Sequence, residues 1–320
     1  MLNSSATAND SRVNKNVIAN TRAGIPIQRG PSEFVFVMLI NYTRKQVSRF
    51  QSFKVSKWTI FYCNRDRVAV RYNAFMSQSA SAIVRSPAEI VQNSPVSQAP
   101  NGICYARSGE ITIADNDLER MVAAVPVPVA GALNRKAYYF VPLTVTQGDE
   151  TVIADRYDVA LSDNAVCHRN LDLGDSQCVF ISTRLMDDKF SVAFEFYINV
   201  GHALVERAGV AQNFADLAWQ QVESGVRGET SLDAWEARKF ATAHGPDAEK
   251  YKNDYLTASF ADAISIYLLS IYLDVDYYDL RERDYPLLAP TPMAERLRKI
   301  AEIFPPNPGF EFNIYYRRRA

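Results

Sequence analysis

The chain has 320 residues, 48% of them hydrophobic and 22% charged, a length that fits one large domain or two modest ones. This composition excludes disorder over the whole chain, collagen and coiled coil, and it leaves enough chain to bury a core without staples. The net charge of −1 hides an asymmetry: residues 1–72 carry twelve Lys/Arg against three Asp/Glu, or +9, so the remainder sums to −10. Segregated charge suggests a cationic face that meets an acidic partner or the other half of the chain.

Residues 1–32 are rich in Asn, Ser, Thr and Ala, with scattered Arg and Lys. Such a segment buries too little apolar area to offset its ordering entropy, so the sequence predicts a flexible polar and basic arm. Residues 33–185 read as a β-rich region. Aromatic and β-branched runs predict strands at Phe34 to Tyr42, Trp58 to Cys63 and Val68 to Phe75, and again at Glu110 to Ala114, Val122 to Val129, Ala137 to Thr146, Thr151 to Leu161 and Cys178 to Ser182. Gln92 to Gly102 reads as a loop, and Gln147-Gly148-Asp149-Glu150 as a hairpin turn.

After Leu185 the period changes. Lys189 to Arg207 is apolar on nearly every side and reads as a buried helix, capped by Asp187 or Asp188 and ended by Gly209. Further helices are predicted at Asn213 to Glu223, Leu232 to Ala243, Glu249 to Leu273 and Met293 to Phe304, which makes residues 186–304 a helical region. Residues 305–320 alternate like a strand and end in Arg317, Arg318 and Arg319. Strands first and helices afterwards is an α+β order.

The catalytic equipment is sparse. There are three histidines (His168, His202, His244) and four cysteines (Cys63, Cys104, Cys167, Cys178), with no Cys-x-x-Cys pair. That disfavours a zinc ribbon and a disulfide-dense secreted scaffold. Cys167 and Cys178 are near enough in sequence to meet across a loop, although buried free thiols are the simpler reading. No P-loop, nucleophile elbow, dinucleotide fingerprint or His-x-x-x-His pair occurs. The first residues lack the apolar run of a signal peptide, and the longest apolar stretch, Ala263 to Leu273, is about half of the ~20 residues that a membrane span needs. The expectation is a cytoplasmic protein without a membrane span.

The run Phe194 to Leu204 contains Gly201-His202-Ala203-Leu204. It resembles the active-site helix of the zincin metallopeptidases, in which a His-Glu-x-x-His pattern places two imidazoles on one helix face and a Glu beside the metal-bound water. Upstream, Val179 to Thr183 followed by Leu185-Met186-Asp187-Asp188 is similar to the edge strand and turn before that helix. Downstream, Tyr255 to Ala263 is similar to the second helix of the gluzincins, including anthrax lethal-factor-type domains.

The resemblance puts Ile198 at the first His ligand, Asn199 at the general base and Ala258 at the third ligand, while His202 and Asp262 match. Ile and Ala have no lone pair to give a metal, and Asn cannot take a proton at neutral pH. The resemblance therefore implies a pseudoenzyme without metal or cofactor, whose remnant cleft is formed by Ile198, Asn199, His202, Ala258 and Asp262, and whose function is docking a protein partner. The plainer alternative makes His202 a core histidine and Ala258 a small packing residue.

Two lesser constellations remain. Glu195, His202 and Glu206 fall on one helix face, as a weak metal trio or, more simply, a hydrogen-bonded one. Asp274, Asp276 and Asp279 lack the glycine and the closing Glu of a calcium loop, and the tyrosines around them (Tyr272, Tyr277, Tyr278, Tyr285) read as an aromatic and acidic surface or a helix end. Arg44, Lys45, Arg49, Lys54 and Lys57, interleaved with Phe50, Phe53 and Trp58, are candidate contacts to an anionic partner, together with the terminal arginines. They support the other reading, a self-assembling structural or coat-like protein that contacts nucleic acid.

Overall fold

A computed structural model describes residues 81–314, apart from 134, 149, 187, 244 and 281–284, and gives only the backbone of 278 and 279. The expected arm, the strand runs before residue 80, the basic residues Arg44, Lys45, Arg49, Lys54 and Lys57, and the terminal Arg317, Arg318 and Arg319 all lie outside the described residues. Over the described residues the fold is α+β: a β-rich part with short helices, followed by a helical part.

The first described helix is set by local chemistry. Ser86 and Glu89 form a capping box around Pro87: the Glu89 amide donates to Ser86 Oγ (3.2 Å) and the Ser86 amide to Glu89 Oε2 (2.8 Å). This starts α1, Pro87–Asn93. Around it run β1 (Val84–Arg85), β2 (Ser97–Gln98) and β3 (Cys104–Arg107), followed by α2 (Asp115–Ala123) and α3 (Val127–Ala132). Next come β4 (Lys136–Val141), β5 (Leu143–Gln147) and β6 (Glu150–Ala154), α4 (Val159–Ser162), and then β7 (Ala165–Val166), β8 (His168–Leu173) and β9 (Ser176–Ser182).

Two sheets result, ordered β1-β6-β5-β7 and β2-β3-β4-β9-β8. The three middle strands of the larger sheet, β3, β4 and β9, are parallel, and its outer strands β2 and β8 are antiparallel to their neighbours.

Several strand expectations need correction. Glu110 to Ala114 forms no strand, because Gly109 turns the chain away at φ 76° and the Glu110 amide donates to the Asp155 carbonyl (2.8 Å). Val122 to Val129 is the end of α2 and the start of α3. There Pro126 and Pro128 favour a helix start, and burial of Val122, Val125 and Val129 outweighs their β preference. Ala137 to Thr146 is broken at Pro142 into β4 and β5, which belong to different sheets. Thr151 to Leu161 is a strand only to Ala154 and ends in α4. The turn at Gln147–Glu150 is a hairpin, with Gln147 opposite Glu150.

The helical part is α5 (Lys189–Ala208), α6 (Gln212–Glu223), α7 (Leu232–Ala241), α8 (Ala248–Tyr272) and α9 (Pro290–Ile303), with a 3-10 turn at Tyr277–Leu280. Asp188 caps α5, its Oδ1 accepting from the Ser191 amide at 2.9 Å, and Gly209 at φ 73° ends it. Helix α5 lies on one face of the larger sheet, where Phe196 meets Tyr138 edge-on at 4.9 Å. On the opposite face Tyr139 stacks on Phe180, and these pack with Val141, Cys178, Ile90 and Ile153.

Helix α8 packs against α5, α7 and α9. It is the one described helix long and apolar enough to cross a membrane, and most of its apolar stretch is buried inside the protein.

Arg296 of α9 is fully buried and ties the helices together. It donates to Gln221 Oε1 (2.8 Å), Glu229 Oε2 (2.9 Å) and the Tyr255 hydroxyl (2.9 Å), while Glu229 also accepts from Arg238 (2.8 Å). Every side of the guanidinium thus meets an acceptor, the condition under which a buried charge is tolerated.

The segment after α9 is not a strand over its described residues, which is a further correction. It is held irregularly by Asn307, whose Nδ2 donates to the Ala123 and Val125 carbonyls (3.0 and 2.8 Å), and by the Phe312 ring against Tyr267.

Candidate functional site

The residues expected to line a remnant cleft lie on α5 and α8, which run antiparallel. Ser265 Oγ donates to the Tyr197 carbonyl (3.1 Å), and four residues on Gly201 faces Ala261. A methyl group on Gly201 would stand 2.6 Å from the Ala261 carbonyl oxygen, so only glycine permits this approach. The space between the helices is therefore filled by backbone and side chains.

Ile198, Asn199 and Asp262 are buried there, at 5%, 7% and 8% exposure, and His202 and Ala258 are half-buried. Asn199 Nδ2 folds back onto its own helix, donating to the Glu195 carbonyl at 2.9 Å. Asp262 accepts from the Thr230 hydroxyl at 2.8 Å, and burial pushes its carboxyl up to about 7 despite that bond. The polar members of the cleft are thus engaged in structural bonds.

The strand before α5 is also placed differently from expectation. Val179 to Ser182 belongs to β9, which is interior, flanked by β4 and β8. The edge is β8. Its register pairs His168 with Ile181, and the Ser182 amide donates to the Cys167 carbonyl at 2.9 Å. In an antiparallel ladder, bonded and non-bonded pairs alternate, so the outward backbone groups of β8 are those of His168, Asn170 and Asp172. The side chains of these three share the α5 side of the sheet, and Leu171 and Leu173 pack on the other.

One contact unforeseen from the sequence joins this edge to the helix. His168 Nδ1 lies 2.5 Å from Glu195 Oε1, with the two side chains only 11% and 4% exposed. His202 stands two turns further along α5 on the face of Glu195 and Glu206. Burial first, then the nearby His168, lowers its pKa, while Glu195 and Glu206 pull it back up. Cys167 borders the same cluster, and burial, reinforced by Glu195, pushes its thiol up to about 12. A thiol so held is protonated at neutral pH and is a poor nucleophile.

Of the expected trio, Glu195 also contacts His168, His202 is half-buried, and Glu206 is exposed. Among the described residues no three His, Cys, Asp or Glu side chains gather closely enough to hold a metal ion.

Other candidates resolve into structure. Cys167 and Cys178 do not meet, since Cys178 pairs with Leu171 on the far part of β8, and both are free thiols. Tyr272 and Tyr285 form no surface: both are buried, their hydroxyls donating to the Asp117 and Thr230 carbonyls. An open basin of about 630 Å³ lies between the end of β3 and the start of α2, but its two arginines, Arg107 and Arg184, are paired with Asp115 and Glu110.

No protein family, no curated protein and no solved structure matches the chain.

Proposed function

We propose that the chain is a non-catalytic docking module on a degenerate, metallopeptidase-like scaffold, and that an extended segment of a protein partner adds to the outer edge of β8. The observation that carries this reading is the position of β8 itself. It is a six-residue antiparallel edge strand with the outward backbone groups of His168, Asn170 and Asp172, and it lies directly beside the helix that bears the remnant cleft. A strand edge supplies affinity through its main chain and selectivity through alternate side-chain positions. The chemistry beside it favours binding over turnover: Ile198 and Ala258 offer no ligand atom, Asn199 is bound to its own helix, and Cys167 is held as a thiol.

Selection of displayed random peptides against the full chain, with counter-selection on Asn170→Pro, tests this. Proline removes an outward donor and leaves the bonded pairs with β9 in place. Peptides that bind the parent and lose at least tenfold on the variant are the expected result. An absence of binders, or binders indifferent to the substitution, contradicts the reading. Light scattering with the 260/280 nm ratio at low and high salt separates it from coat-like assembly, which requires a large, salt-sensitive species rich in nucleic acid.

A further inference from the structure

The dipeptide Asn-Gly occurs once in the chain, at Asn101-Gly102, in the turn that joins β2 to β3. The pair is chemically labile, because glycine has no side chain to hinder its amide nitrogen from attacking the side-chain carbonyl of the residue before it. Here the fold engages every atom of that reaction. Asn101 Nδ2 donates to the Val122 and Val125 carbonyls, at 2.8 Å each, and Oδ1 accepts from the Ile103 amide at 3.2 Å. The attacking nitrogen is occupied as well, since the Gly102 amide donates to the Ala99 carbonyl at 2.8 Å.

These bonds are also structural. Val122 and Val125 are fully buried and Asn101 is only 8% exposed. The Val125 carbonyl accepts a second side-chain amide, Asn307 Nδ2 at 2.8 Å, from the segment after α9. Two asparagines from distant parts of the chain thus clamp the link between α2 and α3.

We propose that Asn101 is a deamidation site guarded by the fold: it keeps its amide while the clamp is closed, and its conversion in an opened chain is an irreversible record of unfolding. In the opened chain the Gly102 nitrogen gives up its proton and bonds to Asn101 Cγ. The bond from Cγ to Nδ2 breaks, and the side-chain nitrogen leaves as ammonia with that proton. Water then opens the cyclic imide to aspartate or isoaspartate. Neither product rebuilds the clamp. A carboxylate has no proton to donate, and it places a negative charge beside two buried carbonyl oxygens. Isoaspartate in addition lengthens the main chain by one carbon, where the Gly102 and Ile103 amides must find their acceptors. The inference stands apart from the docking reading.

Mass spectrometry of the Asn101 peptide, after incubation of the full chain at mildly alkaline pH, reads the guard directly. The peptide is expected to deamidate at least tenfold faster in guanidinium than in the native protein, where reaction must wait for local opening. Asn307→Ala, which removes the other half of the clamp, is expected to speed the native reaction and leave the rate in guanidinium unchanged. The record is read from stability. Asn101→Asp, and parent deamidated in guanidinium and returned to buffer, are both expected to unfold at lower guanidinium than intact parent, or not to refold, while parent passed briefly through guanidinium recovers. Equal deamidation rates in folded and unfolded parent overturn the guard. An Asn101→Asp chain with the midpoint of the parent overturns the record. Should Asn307→Ala not fold, the two rates of the parent carry the decision on the guard.

Discussion

Gly201 of α5 and Ala261 of α8 meet backbone to side: a Cβ added at Gly201 would lie 2.6 Å from the Ala261 carbonyl oxygen and 2.7 Å from Ser265 Oγ. This approach makes the helix pair a packed unit.

Substituting Gly201→Ala should therefore destabilise the protein, although alanine is the better helix former by about 1 kcal/mol. The carbonyl it strikes belongs to backbone that cannot swing aside, and overpacking of this kind costs about 1–3 kcal/mol. A net loss of about 1 kcal/mol in urea unfolding is expected. Unchanged or raised stability would mean that the helices stand further apart.

Arg296→Met should cost about 3–5 kcal/mol, because it leaves Glu229 buried with Arg238 as its remaining charged partner and strips Gln221 and Tyr255 of a shared donor. The double variant Arg296→Met, Glu229→Gln should recover part of that loss, since the uncompensated charge is gone. A double-mutant cycle by chemical denaturation measures both.

Asp262 gives stability a pH dependence of definite sign. Its folded pKa is raised to about 7 from an ordinary 3.8, so between those values the folded protein holds a proton that the unfolded chain has released. The contribution of this group is fully present below pH 3.8 and declines as pH rises toward 7. Asp262→Asn should remove that slope, gaining on the parent as pH rises from 4 to 7. A constant difference between the two proteins across this range would show that Asp262 is already ionised.

The helical part was legible because its signals are local. Asp188, Gly209 and the all-round apolar pattern between them define α5 within a residue of its observed end, and α6 to α9 follow the same logic. The β-rich part was less so. Val122 to Val129 has strand composition but is placed by burial and by two prolines in helices, and Pro142 divides one apparent strand between two sheets. Polar β8 was not recognised, because its residues His168, Asn170 and Asp172 break the apolar and β-branched composition by which strands were read.

Ile198, Asn199, His202, Ala258 and Asp262 lie on two helices that pack together, but the contact between His168 and Glu195 was invisible. It joins a strand to a helix 27 residues later, a relation that no periodicity encodes.

The claim that α5 and α8 form a metallopeptidase-like pair stripped of its ligands is tested most directly by restoring them. The triple variant Ile198→His, Asn199→Glu, Ala258→Glu, shown to be folded by circular dichroism, should bind one equivalent of zinc by calorimetry with metal analysis, while the parent binds none at the same concentration. A folded triple variant that binds no zinc would contradict the scaffold reading.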